Sequence, residues 1–147
     1  MADFEAPADL KFNTEPIANP EAFARDAGAA SWLFLCGEEF AAMEGGMSYA
    51  SVQTAVADSA NIVSDPPQTM DMELAREQIA ALDELPRPTL VTCRRGPRSS
   101  ALVYLYAGLR AGAGADDVIA RAEADGAPFV GSDELKAWVR QGLDELR

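Results

Sequence analysis

A chain of 147 residues with 12 Lys and Arg against 24 Asp and Glu, and a formal net charge of -12, suits one globular domain and excludes a nucleic-acid binder, which needs a basic surface. The complete absence of His rules out a Ser-His-Asp triad, a Cys-His dyad and any His-bearing zinc site, and two cysteines are too few for a disulfide scaffold or a four-Cys metal site. The longest apolar runs, such as Ala101–Leu109, fall far short of the roughly 20 residues that cross a bilayer, so no membrane span is expected.

Residues 1–18 carry no sustained period and read as a loose or strand-like lead-in. Its opening, "MADFEAPADL", lacks the basic head and apolar core of a secretory signal, so a cytoplasmic location is expected. Asn19 then caps a short helix with Pro20 at its first position and Phe23 and Ala27 on one face. "AASWLFLC" is a compact apolar run that predicts a buried strand ending at Cys36, and "GEEFAAMEGG" a loop after it. Glu38 and Glu39 in that loop are expected to face solvent.

Ser48 predicts a helix through about Ala60, with Tyr49, Val52 and Val56 at helical spacing. "NIVSDPPQ" offers a brief strand and a proline stop. Thr69 caps the next helix, where Met72, Ala75, Ile79 and Leu82 form the apolar stripe and Pro86 marks the exit. "PTLVTC" is rich in β-branched residues and predicts a strand ending at Cys93. From Ser99 an apolar helix runs to Gly112, and two more helices follow, roughly Ala115 to Asp125 and Ser132 to Leu146, within a C-terminal segment 131–147. Helices alternating with short strands make this a single α/β domain over 1–147, with a small, mainly parallel sheet of four or five strands flanked by helices. In such sheets ligands bind beyond the carboxyl ends of the strands.

The informative stretch is "LVTCRRGPRSSALVYLY". Arg87, Arg94, Arg95 and Arg98 are four of the twelve basic residues, and no Asp or Glu lies among them. Cys93 ends a predicted buried strand just before a helix. Gly96 allows a tight bend, Pro97 stiffens it, and Ser99 or Ser100 caps the helix. The amides of this loop and the helix N-terminus would cradle a small anion and favour a thiolate at Cys93. Arg98 is spaced to fold back and bind two oxygens of a tetrahedral anion, while Arg94 and Arg95 would steer anions or remain solvated. The bland alternative is a buried structural cysteine among surface arginines.

"TCRRGPRSSALVYLYAGLRAGAGADDVIARAEADG" resembles the signature half of the bacterial beta-lactamase-hydrolase-like, phosphatase-like domain, a branch of the protein tyrosine phosphatase superfamily. "TEPIANPEAFARDAGAASWLFLCGEE" is similar in layout to that family's opening helix and strand. The resemblance covers most of residues 10–128, but only the Cys-to-Ser loop is specific. It implies a sheet of four or five strands, Cys93 as nucleophile and Arg98 as the oxyanion-binding arginine. Four residues separate Cys93 from Arg98, where the usual tyrosine phosphatase loop has five, so that Ser99 stands in the place of the longer loop's arginine. Thr92 stands where those phosphatases carry His. A four-residue interval also resembles rhodanese-type sulfurtransferases, in which the cysteine carries a persulfide.

Phosphoester hydrolysis calls for a proton donor to the leaving oxygen. "SDPPQTMD" supplies Asp65 and Asp71, of which Asp65 could reach over the cradle, although aspartate before proline more commonly makes an ordinary turn. Cys36, ending a neighbouring strand, is either a redox partner of Cys93 or a packed core thiol. Three readings stay open: a cysteine-dependent phosphatase-like hydrolase of a small anionic substrate, a sulfurtransferase or persulfide carrier, and a non-catalytic anion-binding module. No cofactor motif is present.

Overall fold

The computed structural model describes residues 4–64 and 70–146. Four parallel strands form one sheet in the order β1-β4-β2-β3: β1 (Leu10–Phe12), β2 (Ser31–Phe34), β3 (Asp58–Asn61) and β4 (Thr89–Thr92). Both central strands, β2 and β4, are buried along their whole length, as expected of parallel strands covered on two faces. β4 pairs with β2 from Ser31↔Thr89 to Phe34↔Thr92 and with β1 from Leu10↔Thr89 to Phe12↔Val91. The carboxyl ends of all four strands therefore lie at one edge of the domain, and Asn13, Cys36 and Cys93 follow three of them.

α1 (Pro20–Ala27) and α3 (Tyr49–Ala55) pack on each other, and α3 also meets β2 and β3. Asn19 caps α1 as expected, its Oδ1 accepting the Ala22 N–H at 3.0 Å. α4 (Met72–Glu84), α5 (Pro97–Ala111) and α7 (Asp133–Glu145) pack together, with α6 (Ala115–Asp125) against α5 and α7. α5 is buried continuously from Ser99 to Gly108 because it lies on β1 and β4 with the later helices outside it. No helix among the described residues is long and apolar enough to cross a membrane.

Several elements depart from the sequence reading. α3 stops at Ala55 instead of about Ala60, because Val56 is already extended and the next residues join the sheet. β3 begins at Asp58, earlier than the "NIVSDPPQ" segment. As a half-exposed edge strand with a polar sequence it has little apolar signature, and its pairing with β2 makes it a strand. The Asn61 carboxamide reinforces that edge by donating to the carbonyls of Phe34 (2.9 Å) and Cys36 (3.0 Å). The loop after β2 contains the single-turn helix α2 (Glu38–Ala41), which buries Phe40 and leaves Glu38 and Glu39 largely outside. Asp71, not Thr69, caps α4, its Oδ1 accepting from the Leu74 N–H at 2.8 Å; Thr69 lies outside the described residues. α5 starts at Pro97 with Gly96 as its cap, so Ser99 and Ser100 sit inside the first turn and are not caps. A 3₁₀ turn, Pro128–Gly131, follows α6 and buries Phe129.

Candidate active site

β4 delivers Cys93 to the carboxyl edge of the sheet, and the chain then turns within three residues into α5. The turn depends on Gly96, whose φ of 109° is a left-handed value that an L side chain rarely adopts. With the chain folded this way, two amide donors and a hydroxyl surround the sulfur. The Gly96 N–H lies 3.1 Å from Cys93 Sγ, the Ser99 N–H 3.3 Å and the Ser99 hydroxyl 3.4 Å. Two of the three are amides at or inside the first turn of a 15-residue helix, where the macrodipole favours negative charge. The Ser99 hydroxyl has a single proton and three acceptors in reach: Sγ, Asn13 Oδ1 at 3.3 Å and the Gly96 carbonyl at 3.2 Å.

The four arginines separate by role. Arg87 is structural: its guanidinium donates to the carbonyls of Leu82 (2.7 Å) and Leu85 (3.0 Å), closing the C-terminus of α4, and to the Tyr106 hydroxyl (3.1 Å). Arg94 is half-buried, with its guanidinium 5.6 Å from the centre of the Phe40 ring, a cation–π contact that ties the loop to α2. Arg95 is exposed. Arg98 occupies the second helical position of α5, and its Nε is buried with no hydrogen-bond partner among the described residues. Buried donors without acceptors are rare in folded proteins, which singles this nitrogen out among the described residues.

Pro97 is the first residue of α5. Ser100 is fully buried, and its hydroxyl oxygen accepts the Phe129 N–H while donating to the Pro97 carbonyl, both at 3.1 Å, so it joins α5 to the 3₁₀ turn. Thr92 is also fully buried, its hydroxyl accepting the Trp32 indole N–H at 2.7 Å. Asp71 is committed to capping α4. Asp65 lies outside the described residues. Neither cysteine is in a disulfide. The pairing of Phe34 with Thr92 is followed by a Leu35 N–H to Thr92 carbonyl bond of 2.9 Å, with Cys36 the next residue along.

One residue of the site escaped the sequence reading. Asn13, directly after β1, is buried and bonds through its carboxamide to the Cys93 peptide, 80 positions away. Its only signal in the chain was a polar residue closing a short apolar stretch, "LKFN", in a segment read as a lead-in.

No family model matches this sequence, and no curated protein matches it at a significant level. Solved structures do match. A candidate phosphatase of Neisseria meningitidis is similar over 97% of this chain and 99% of its own, with a TM-score of 0.68 and 18% identity. A candidate phosphatase of Shewanella putrefaciens gives 0.68 at 18% identity over 96% of this chain and 90% of its own. The core catalytic domain of a PP-IP phosphatase from S. cerevisiae gives 0.65 at 13% identity, over 97% and 83%. The chain has the protein tyrosine phosphatase fold. At such identities the likeness is one of architecture. α5 starts at Pro97, and Ser99 reaches the sulfur with both its amide and its hydroxyl.

Proposed function

We propose that the chain is a cysteine-dependent phosphatase of a small phosphorylated substrate. The observation that carries this reading is the convergence of the Gly96 and Ser99 amides on Cys93 Sγ at the N-terminus of α5. In the proposed reaction the Cys93 thiolate attacks phosphorus, the bond to the leaving oxygen breaks, and that oxygen takes a proton, leaving a phosphorylated cysteine. Water then attacks the same phosphorus, phosphate departs and the thiolate is restored.

Arg98 binds two non-bridging oxygens, with its buried Nε supplying one of the donors. The loop of Gly96, Pro97 and Ser99 frames the phosphoryl group, Ser100 being committed to the 3₁₀ turn, and Arg94 and Arg95 draw the anion towards an otherwise acidic protein. Asp65 serves as the acid for the leaving group. Ser64, which precedes it, is held to the end of β2 by its N–H to the Leu35 carbonyl at 2.8 Å. This chemistry needs no cofactor, and a nucleophilic thiol suits the reducing cytoplasm.

The four-residue interval between Cys93 and Arg98 also favours a second reading, a rhodanese-type persulfide carrier. Incubation with aryl phosphate and, separately, with thiosulfate plus cyanide separates the two. Phosphate release that disappears in Cys93→Ser is the expected result. Thiocyanate formation without phosphate release overturns the phosphatase reading in favour of sulfur transfer, and binding of phosphate with turnover of neither marks an anion-binding module. Asp65→Ala is expected to lower kcat about a hundredfold or more, the usual contribution of a general acid. An unchanged rate removes Asp65 from that role.

A further inference from the structure

Asn13 is 2% exposed, unusual for an asparagine, and every polar atom of its side chain is engaged. Oδ1 accepts the Cys93 N–H at 3.1 Å and the Ser99 hydroxyl at 3.3 Å. Nδ2 donates to the carbonyls of Cys93 (2.9 Å), Arg94 (3.4 Å) and Glu15 (3.0 Å). Only one orientation of the carboxamide satisfies this set, because a main-chain N–H needs the oxygen and the carbonyls need the amine. The main-chain oxygen of the same residue is 2.2 Å from where a Cβ on Gly96 would stand. Asn13 thus touches the loop at its start, its bend and its entry into α5, yet none of its bonds reaches the sulfur.

We propose that Asn13 is the positioning residue of the Cys93 loop, holding the 93–94 peptides so that the Gly96 and Ser99 amides point at Sγ. In relation to catalysis the inference rests on the phosphatase reading; in relation to the reactivity of the thiol it does not. The physical argument is one of satisfaction. Without the carboxamide, the Cys93 N–H and the Cys93 and Arg94 carbonyls lose their partners in the interior. Unpaired buried groups of this kind rotate towards water, and a loop this short has no way to turn its first peptides without moving its later amides.

The test uses Asn13→Ala and the uncharged Asn13→Ser, both of which lose the carboxamide donors to the Cys93, Arg94 and Glu15 carbonyls. Both thiols are labelled with iodoacetamide across a pH series, and mass spectrometry gives the ratio of labelling at Cys93 to that at Cys36. Cys36 is equally buried, so it reports general loosening of the core. The ratio at neutral pH is expected to fall about tenfold or more, as the Gly96 and Ser99 amides turn away from Sγ. In the aryl phosphate assay kcat falls in parallel.

An unchanged ratio, or faster labelling of both cysteines together, overturns the proposal by making Asn13 a merely structural residue. If Asn13→Ala does not fold, the Asn13→Ser ratio decides. If wild-type protein releases no phosphate, the phosphatase reading fails while the labelling ratio still judges Asn13.

Discussion

At position 96 a methyl group would stand 2.2 Å from the Asn13 carbonyl oxygen and 3.1 Å from Pro128 Cγ, on a backbone whose φ is 109°. Neither obstacle yields easily, since one is main chain and the other a proline ring. Gly96→Ala therefore has to move the loop. Holding an L residue in this region costs about 1–3 kcal/mol. Displacing an amide from the site of developing charge typically costs about a hundredfold in kcat or more. A loss of that size with aryl phosphate, and a lowered thermal midpoint, are the expected results; a fully active Gly96→Ala variant would show that the 96 amide is dispensable. The closeness of Gly96 and Ser99 to Cys93 was legible in the chain because their spacing is local. Asn13 was not, because it meets the loop only through the β1–β4 pairing.

Helix boundaries set the electrostatics of the site, and they were the least legible part of the chain. Ser99 and Ser100 have the chemistry of caps, yet the left-handed Gly96 and Pro97 start α5 two residues earlier. That shift turns Ser99 into a ligand of the sulfur and Ser100 into a tether for the 3₁₀ turn. On the far side of α5, Tyr106 donates to Asp83 Oδ1 at 2.6 Å, and Arg110 pairs with the same carboxylate, joining α4 to α5. The Tyr106 hydroxyl and then the Arg110 guanidinium hold the Asp83 carboxyl below its usual value. A depressed carboxyl stabilises the fold above its unfolded value, near about 4, and that contribution is lost as pH falls through the depressed folded one. Asp83→Asn should lower the thermal midpoint at neutral pH by a small amount, since the side chain is 46% exposed, and the gap from wild type should close below about pH 4. A gap independent of pH would assign the effect to packing.

Across the whole molecule, an acidic composition surrounds one loop in which Arg94, Arg95 and Arg98 are gathered. The order β1-β4-β2-β3 puts the loop-bearing strand in the interior of the sheet, flanked by the ends of β1 and β2. α1, the C-terminal helices, the buried strands and the Cys-to-Ser loop were all readable from the chain, because apolar period, caps and turn residues act over a few positions. β3, the start of α5 and the part played by Asn13 were decided by tertiary structure alone. A polar edge strand becomes a strand only when a neighbour offers its ladder, and an asparagine becomes part of a site only when the fold brings a peptide 80 residues away within hydrogen-bond reach of its carboxamide.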